Sequence, residues 1–105
     1  MAEPEQMYYV EFRANPRLDN KRFKDTGLVI CKYWVKAKSK QEAAKMAVQD
    51  AANKKWVASG VANVGFTNRE RCLDDPEALA AFDYASAAGI SAIIDGYDAD
   101  PLQNN

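Results

Sequence analysis

The chain has 105 residues, 48% of them hydrophobic, and a net charge of −1, so length and composition predict one domain, residues 1–105, whose core needs no metal or disulfide. It has no histidine and only two cysteines, which excludes nucleophiles activated by histidine, histidine metal sites and CxxC motifs. No apolar run reaches the roughly eighteen residues that span a bilayer, so we expect a cytoplasmic protein without membrane contact. We also expect no cofactor and no metal. The tails at residues 1–6 and 98–105 are predicted to be flexible.

Two strands are predicted in the first third of the chain. Residues 7–13 alternate between apolar and polar side chains, which is typical of a half-buried strand. Three turn signals follow within residues 14–26 and predict a long connection. Residues 27–38 are rich in β-branched and aromatic side chains. In this second strand we expect Val29, Cys31, Tyr33, Val35 and Ala37 to face the core and the lysines and Trp34 to face outward.

The best-defined element is a helix that begins at a capping box. Ser39 and Glu42 have the S-x-x-E spacing, in which the serine oxygen accepts a first-turn amide and the glutamate reaches back. The apolar stripe that follows, as far as about residue 55, is made almost wholly of alanine. Small side chains allow a helix to lie close to a sheet.

The last third of the sequence predicts one more strand and one more helix. The structure of its final segment is left open between a strand and a continuation of the helix. Residues 57–67 read as a strand in which Gly60 and Gly65 indicate a bulge or a close backbone approach. Asp75 is the predicted N-cap of a second helix, with Pro76 at its first position and Gly89 at its end. Residues 90–97 fit a short strand slightly better than a continuation of the helix.

This order of elements predicts the fold class. We expect an α+β protein, a two-layer sandwich in which an antiparallel sheet of three to four strands carries both helices on one face. The order is β-β-α-β-α, with a possible last strand. The sequence leaves the order of the strands within the sheet open.

The two signs of charge are separated along the chain. All fourteen Lys and Arg residues lie at or before Arg71; with eight acidic residues, residues 1–71 carry +6. Residues 72–105 carry seven acidic and no basic side chains, which gives −7. The acidic part is a candidate face for a basic partner, although acids around Asp75 also suit the N-terminus of a helix. A third interpretation is that the two charged parts contact each other, within one molecule or across a dimer.

A basic and aromatic surface is the strongest candidate site. Lysines and arginines of the long connection, together with the outward face of the second strand, place cations among aromatic rings, a combination that suits RNA or single-stranded nucleic acid. Against nucleic acid stands the sequence pI of about 5.4. In the simpler interpretation, the lysines keep the sheet soluble and Trp34 packs under the loop or the tail. The candidate binding residues are Tyr9, Arg17, Lys21, Arg22, Lys24, Lys32, Trp34 and Lys36.

No spacing of residues singles out a catalytic pair, so no catalytic residues are predicted. The hypothesis that the sequence favours is a non-catalytic binding module for another protein or for a second copy of itself, a homodimer. Binding of RNA or single-stranded nucleic acid is the alternative. A small-ligand or enzyme site is the third interpretation, and it requires an enclosed pocket with converging polar groups.

Overall fold

The computed structural model describes residues 5–21 and 27–96, with only the backbone described at Val61. Its elements are β1 (Gln6–Pro16), β2 (Val29–Ala37), α1 (Lys40–Asn53), β3 (Trp56–Phe66), the 3₁₀ turn Arg69–Cys72, α2 (Pro76–Ala88) and β4 (Ile90–Gly96). The predicted α+β class and order of elements are confirmed, and the last segment is a strand. The predicted tail 98–105 lies outside the described residues, and β1 already begins at Gln6.

The four strands form one antiparallel sheet in the order β3-β1-β2-β4. Strands β1 and β2 are central, and β3 and β4 are its edges. Tyr8 lies opposite Val35, and Tyr9 lies opposite Trp34. Because neighbouring side chains of a strand point to opposite faces, Tyr8 and Val35 lie on one face of the sheet, the first face, and Tyr9 and Trp34 lie on the other, the second face.

Helix α1 covers the first face. The predicted core residues of β2 are buried there together with Tyr8, Val10 and Phe12 of β1, and the Phe12 and Tyr33 rings stack with their centroids 5.9 Å apart. Ala43, Ala47 and Ala51 are fully buried against them. Their small side chains bring the helix close enough to exclude water from this layer.

Helix α2 covers part of the second face, and this arrangement differs from the predicted two-layer sandwich with both helices on one face. Met7 and Trp34 are buried there beneath Ala81 and Ala85, with Ile93 packed alongside. The physical reason is that the sheet carries apolar side chains on both faces. Since α1 already occupies the first face, the second needs its own helix, and the layers are helix, sheet and helix.

The predicted helix ends are in place. The Ser39 hydroxyl oxygen accepts from the Glu42 N–H at 3.1 Å, and the Glu42 carboxylate accepts from the Lys38 N–H at 2.8 Å. The Asp75 carboxylate accepts from two first-turn N–H groups of α2. Gly89 ends α2 with a φ of 96°, in the left-handed region where glycine carries no steric penalty.

Among the described residues, one residue other than glycine has a left-handed backbone, and it lies just after α1. Lys55 has a φ of 70°, one residue beyond the helix C-cap Lys54. A side chain with a Cβ is strained in this region by roughly 1 kcal/mol or more. The Lys55 carbonyl accepts two hydrogen bonds, one from the Arg17 N–H at 3.0 Å and one from the Asn20 side chain at 2.9 Å.

We predict that Lys55→Gly stabilises the protein by about 0.5–1 kcal/mol, because glycine adopts this conformation without strain and keeps the carbonyl. The ion pair that is lost, to Asp19 at 3.9 Å, is exposed and contributes little. Urea denaturation measures the free energy of unfolding. Lys54→Gly is the matched control, because Lys54 has a φ of −93° and gains no relief. Stabilisation by the control and not by Lys55→Gly would contradict the explanation.

Candidate functional site

Trp34, the predicted exposed aromatic of the candidate surface, is buried. Only 4% of it is accessible, and Ala81 and Ala85 of α2 lie above it. The prediction that Trp34 faces solvent is therefore wrong. Tyr9 is half-buried beside it, with ring centroids 5.0 Å apart, and its hydroxyl donates to Glu11 at 2.6 Å. Burial, followed by this hydrogen bond, raises the pKa of Tyr9 above its ordinary value.

The two predicted lysines of β2 contact the elements around them. The Lys32 ammonium lies 3.2 Å from the Asp95 carboxylate on β4. The Lys36 ammonium donates to the Ser86 carbonyl near the end of α2 at 3.1 Å. A lysine can bury its stem and direct its charge to the rim in this way. Both charges thus have partners within the molecule.

The predicted basic residues of the long connection lie elsewhere. Arg17 pairs with Asp19 at 3.2 Å, and Lys21 lines an open recess of about 520 Å³ beside the end of α1. That recess also includes Trp56 and Ile94, which belong to the first face. Arg22 and Lys24 lie outside the described residues. The structure therefore separates Arg17 and Lys21 from Tyr9, Lys32, Trp34 and Lys36, which belong to the second face.

Ion pairs join the basic and acidic parts of the chain. The Lys32–Asp95 pair is one, and Arg69 binds both carboxylate oxygens of Asp83 at 2.9 and 3.2 Å. The hydrogen bonds from Arg69 hold the pKa of Asp83 below its ordinary value. Both pairs are largely exposed, so they orient side chains more than they stabilise the fold. Separation along the sequence does not become full separation on the surface.

A groove lies at the outer edge of β4. It is open, has a volume of about 600 Å³ and lies between the last turns of α1 and the outer side of α2. The α1 wall carries Asp50 and Lys54, and the α2 wall carries Tyr84, which is 64% exposed. The floor is residues 90–93 of β4.

The backbone of β4 presents hydrogen-bonding groups to this groove. The Lys36 N–H donates to the Gly89 carbonyl at 2.9 Å. This hydrogen bond determines which residues of β4 direct their backbone groups toward β2. In an antiparallel ladder alternate residues turn their N–H and C=O groups to the partner strand. Ser91 and Ile93 therefore face β2, whereas Ile90 and Ala92 turn theirs outward. No other described strand pairs with that side of β4.

The α1 wall of the groove is held in place by hydrogen bonds. The Tyr33 hydroxyl donates to an Asp50 carboxylate oxygen at 2.8 Å, and the Lys54 ammonium lies 2.9 Å from the same oxygen. Burial, followed by the bond to Asp50, raises the pKa of Tyr33 above its ordinary value. These two contacts hold the Asp50 carboxylate between Tyr33 and Lys54.

Sequence reasoning missed this groove. Its walls come from α1 and α2, which are far apart in the chain, and only the strand order shows that β4 is an edge. One signal was present, because Ile93 and Ile94 are consecutive apolar residues at the end of the chain's last predicted element. Such a pair indicates a strand with apolar neighbours on both faces.

The described ranges 5–21 and 27–96 contain no group of three acidic or cysteine side chains arranged to hold a metal ion, and neither helix there is long and apolar enough to cross a membrane. Cys31 and Cys72 are free thiols. Cys31 belongs to the core of the first face, while Cys72 lines a recess beside Trp34 on the second.

Comparisons with protein-family models, with curated proteins and with solved structures found no match to the chain.

We predict that Trp34→Ala destabilises the protein by about 3–5 kcal/mol, because truncation leaves a cavity beneath α2. Chemical denaturation followed by circular dichroism measures the loss. Tyr84→Ala is the matched control, since it truncates an exposed aromatic and changes the free energy of unfolding by about 0.5 kcal/mol or less. Equal losses for the two variants would place Trp34 on the surface.

We predict that stability falls as the pH rises from about 9 to about 11. Burial raises the pKa of the Cys31 thiol from an ordinary 9.0 to about 11, so the unfolded chain releases this proton first. Tyr9 and Tyr33, whose pKa values are also raised, extend the loss above pH 10. The free energy of unfolding, measured between pH 8 and 11, falls less steeply in Cys31→Ala than in the wild type. Equal slopes would contradict this role of Cys31.

Proposed function

We propose that this chain is a non-catalytic protein-binding module that takes up an extended segment of another protein at the outer edge of β4. The observation that carries the proposal is the pairing of an open strand edge with an exposed aromatic, Tyr84, in one groove. A peptide strand added to a sheet edge gains affinity from main-chain hydrogen bonds and specificity from its alternate side chains.

The groove suits such a segment chemically. Its floor offers the outward backbone groups of Ile90 and Ala92, and Ala80 and Tyr84 provide apolar contact on the α2 side. Exposed aromatics at the centre of a contact often carry much of its binding energy. Asp50, Lys54 and Glu77 bring both signs of charge to the rim, so we expect a segment with alternate apolar residues and mixed polar flanks.

The nucleic-acid hypothesis stays a prediction with weaker support. The described cations of the candidate surface are divided between two places, and Trp34 presents no ring face for a base to stack on. The enzyme interpretation has no better basis, because the grooves and recesses described above are open and no catalytic pair converges in them.

Selection from a phage-displayed library of random linear peptides tests the proposed function. We expect the wild-type protein to enrich peptides with apolar residues at alternate positions. Ala92→Pro removes one outward N–H and no hydrogen bond to β2, and we expect it to weaken binding of the selected peptides at least tenfold. We expect Tyr84→Ala to weaken it about five- to thirtyfold, the usual cost of truncating an anchor residue.

Leu73→Ala is the matched control, because Leu73 is 53% exposed and does not line the groove. It leaves peptide affinity unchanged, and circular dichroism checks that each variant is folded. No enrichment by the wild type, or equal affinity of the peptides for wild type and Tyr84→Ala, would overturn the proposal.

A further inference from the structure

The recess beside Trp34 on the second face is separate from the β4 groove. It lies where the 3₁₀ turn leads into the start of α2, is open and has a volume of about 220 Å³. It shares no lining residue with the groove, so its chemistry is independent of the proposed function. This surface, the Thr67 recess, is lined by Tyr9, Lys32, Trp34, Thr67, Arg71, Cys72, Asp75 and Ala78.

Most polar groups of the Thr67 recess have partners within the molecule. The Tyr9 hydroxyl and the Lys32 ammonium are each bound to a carboxylate, as described above. The Cys72 thiol donates to the Asn68 carbonyl, with 3.6 Å between sulfur and oxygen. The Asp75 carboxylate accepts from two N–H groups of α2. The fold alone accounts for these four side chains.

Two groups in the same recess have no such partner. Thr67 is only 7% accessible, and its hydroxyl forms no hydrogen bond with any residue of the ranges 5–21 and 27–96. Within those ranges the Arg71 guanidinium likewise has no carboxylate partner. Buried hydroxyls are nearly always hydrogen-bonded, because burial removes them from water. The Thr67 hydroxyl therefore needs a partner that enters the recess from outside the chain.

The donor groups indicate the chemistry of that partner. A guanidinium only donates hydrogen bonds, and its planar fork fits the two oxygens of a carboxylate. Because the Lys32 charge is balanced by Asp95, the positive charge left for a ligand is that of Arg71. The Thr67 hydroxyl can donate to the same oxygens. A negatively charged acceptor group suits this pair.

The rest of the lining narrows the class of ligand. The rings of Tyr9 and Trp34 and the methyl group of Ala78 offer apolar contact, which phosphate, polar on every side, would leave unmatched. The nearby Asp75 carboxylate disfavours a second negative charge on the ligand. The volume is below the roughly 300–1,000 Å³ of sites for drug-sized ligands. A small monoanion with an apolar body fits these limits.

We infer that the Thr67 recess binds a small organic carboxylate. Its oxygens accept hydrogen bonds from the Arg71 guanidinium and the Thr67 hydroxyl, and its apolar body lies against the rings of Tyr9 and Trp34. Bound in this way, the ligand gives both unpartnered groups of the recess a partner at once. No covalent step is involved.

Titration of the ¹⁵N-labelled protein with benzoate, followed by NMR chemical shifts, tests the inference. We expect saturable shifts of the amides of Thr67, Arg71 and Cys72, with a dissociation constant in the millimolar range that is usual for a ligand of this size. Benzamide has the same shape without the charge, and we expect at least tenfold weaker binding. Inorganic phosphate is expected to bind more weakly than benzoate.

Two kinds of result in this titration would overturn the inference. An absence of saturable shifts with benzoate would leave solvent as the partner of the Thr67 hydroxyl. Benzamide or phosphate binding as tightly as benzoate would contradict the assignment of a carboxylate.

Substitutions in the recess show whether these side chains carry the binding. We expect Arg71→Gln to weaken benzoate binding at least tenfold and Thr67→Val to weaken it about three- to tenfold. Arg69→Gln is the matched control, because Arg69 belongs to the same 3₁₀ turn, pairs with Asp83 and does not line the recess. It leaves the affinity unchanged. Equal losses in Arg69→Gln and Arg71→Gln would reduce the effect to overall charge and refute the site.

The stability of the ligand-free protein gives a second measurement, which does not depend on the choice of ligand. If the Thr67 hydroxyl has no partner in the chain, Thr67→Val leaves the urea midpoint of unfolding unchanged or raises it. Ser91→Ala is the matched control, since the Ser91 hydroxyl donates to the Ala81 carbonyl at 2.6 Å and its loss lowers the midpoint. An equal fall in both variants would show that the Thr67 hydroxyl is already bonded within the protein, against the inference.

Discussion

Burial of two consecutive residues of β2 on opposite faces of the sheet determines the rest of this structure. Tyr33 is fully buried on the first face and Trp34 is 4% exposed on the second. Each large ring needs a cover of its own, since α1 and its alanine stripe reach only one face. The result is a central strand with helices on both sides, in a sheet whose edge strands β3 and β4 each pair with one other described strand.

This constraint moves the candidate surfaces from the faces of the sheet to its borders. Where α2 covers the second face, Tyr9, Lys32, Trp34 and Lys36 pack or pair within the molecule and form no free basic patch. The two edges differ in chemistry. The β4 edge has charged walls and an exposed aromatic beside it, which suits a partner of different sequence. The β3 strand contains no charged residue.

The local parts of this account were predictable from the sequence because their causes are local. Ser39 with Glu42, Asp75 before Pro76 and Gly89 at φ 96° carry their own capping chemistry. Alternation in β1 and β2 identified the residues of the first face. Trp34 was wrongly predicted to face solvent because the alternation in β2 was taken to mean one buried and one solvent-exposed face. Tyr33, Trp34 and Val35 instead form a continuous apolar run, which is typical of a strand buried on both faces. The order of the strands depends on pairings between segments that are far apart in the sequence. The sequence therefore could not show that β3 and β4 are the edge strands.

The most direct test of the central claim is the set of nuclear Overhauser contacts of the Trp34 indole in a spectrum of the native protein. The account predicts cross-peaks from the indole ring to the methyl groups of Ala81 and Ala85 on α2, while the Tyr33 ring contacts the alanines of α1. Contacts of both rings with the same helix, or an indole without contacts to either, would contradict a sheet covered on both faces.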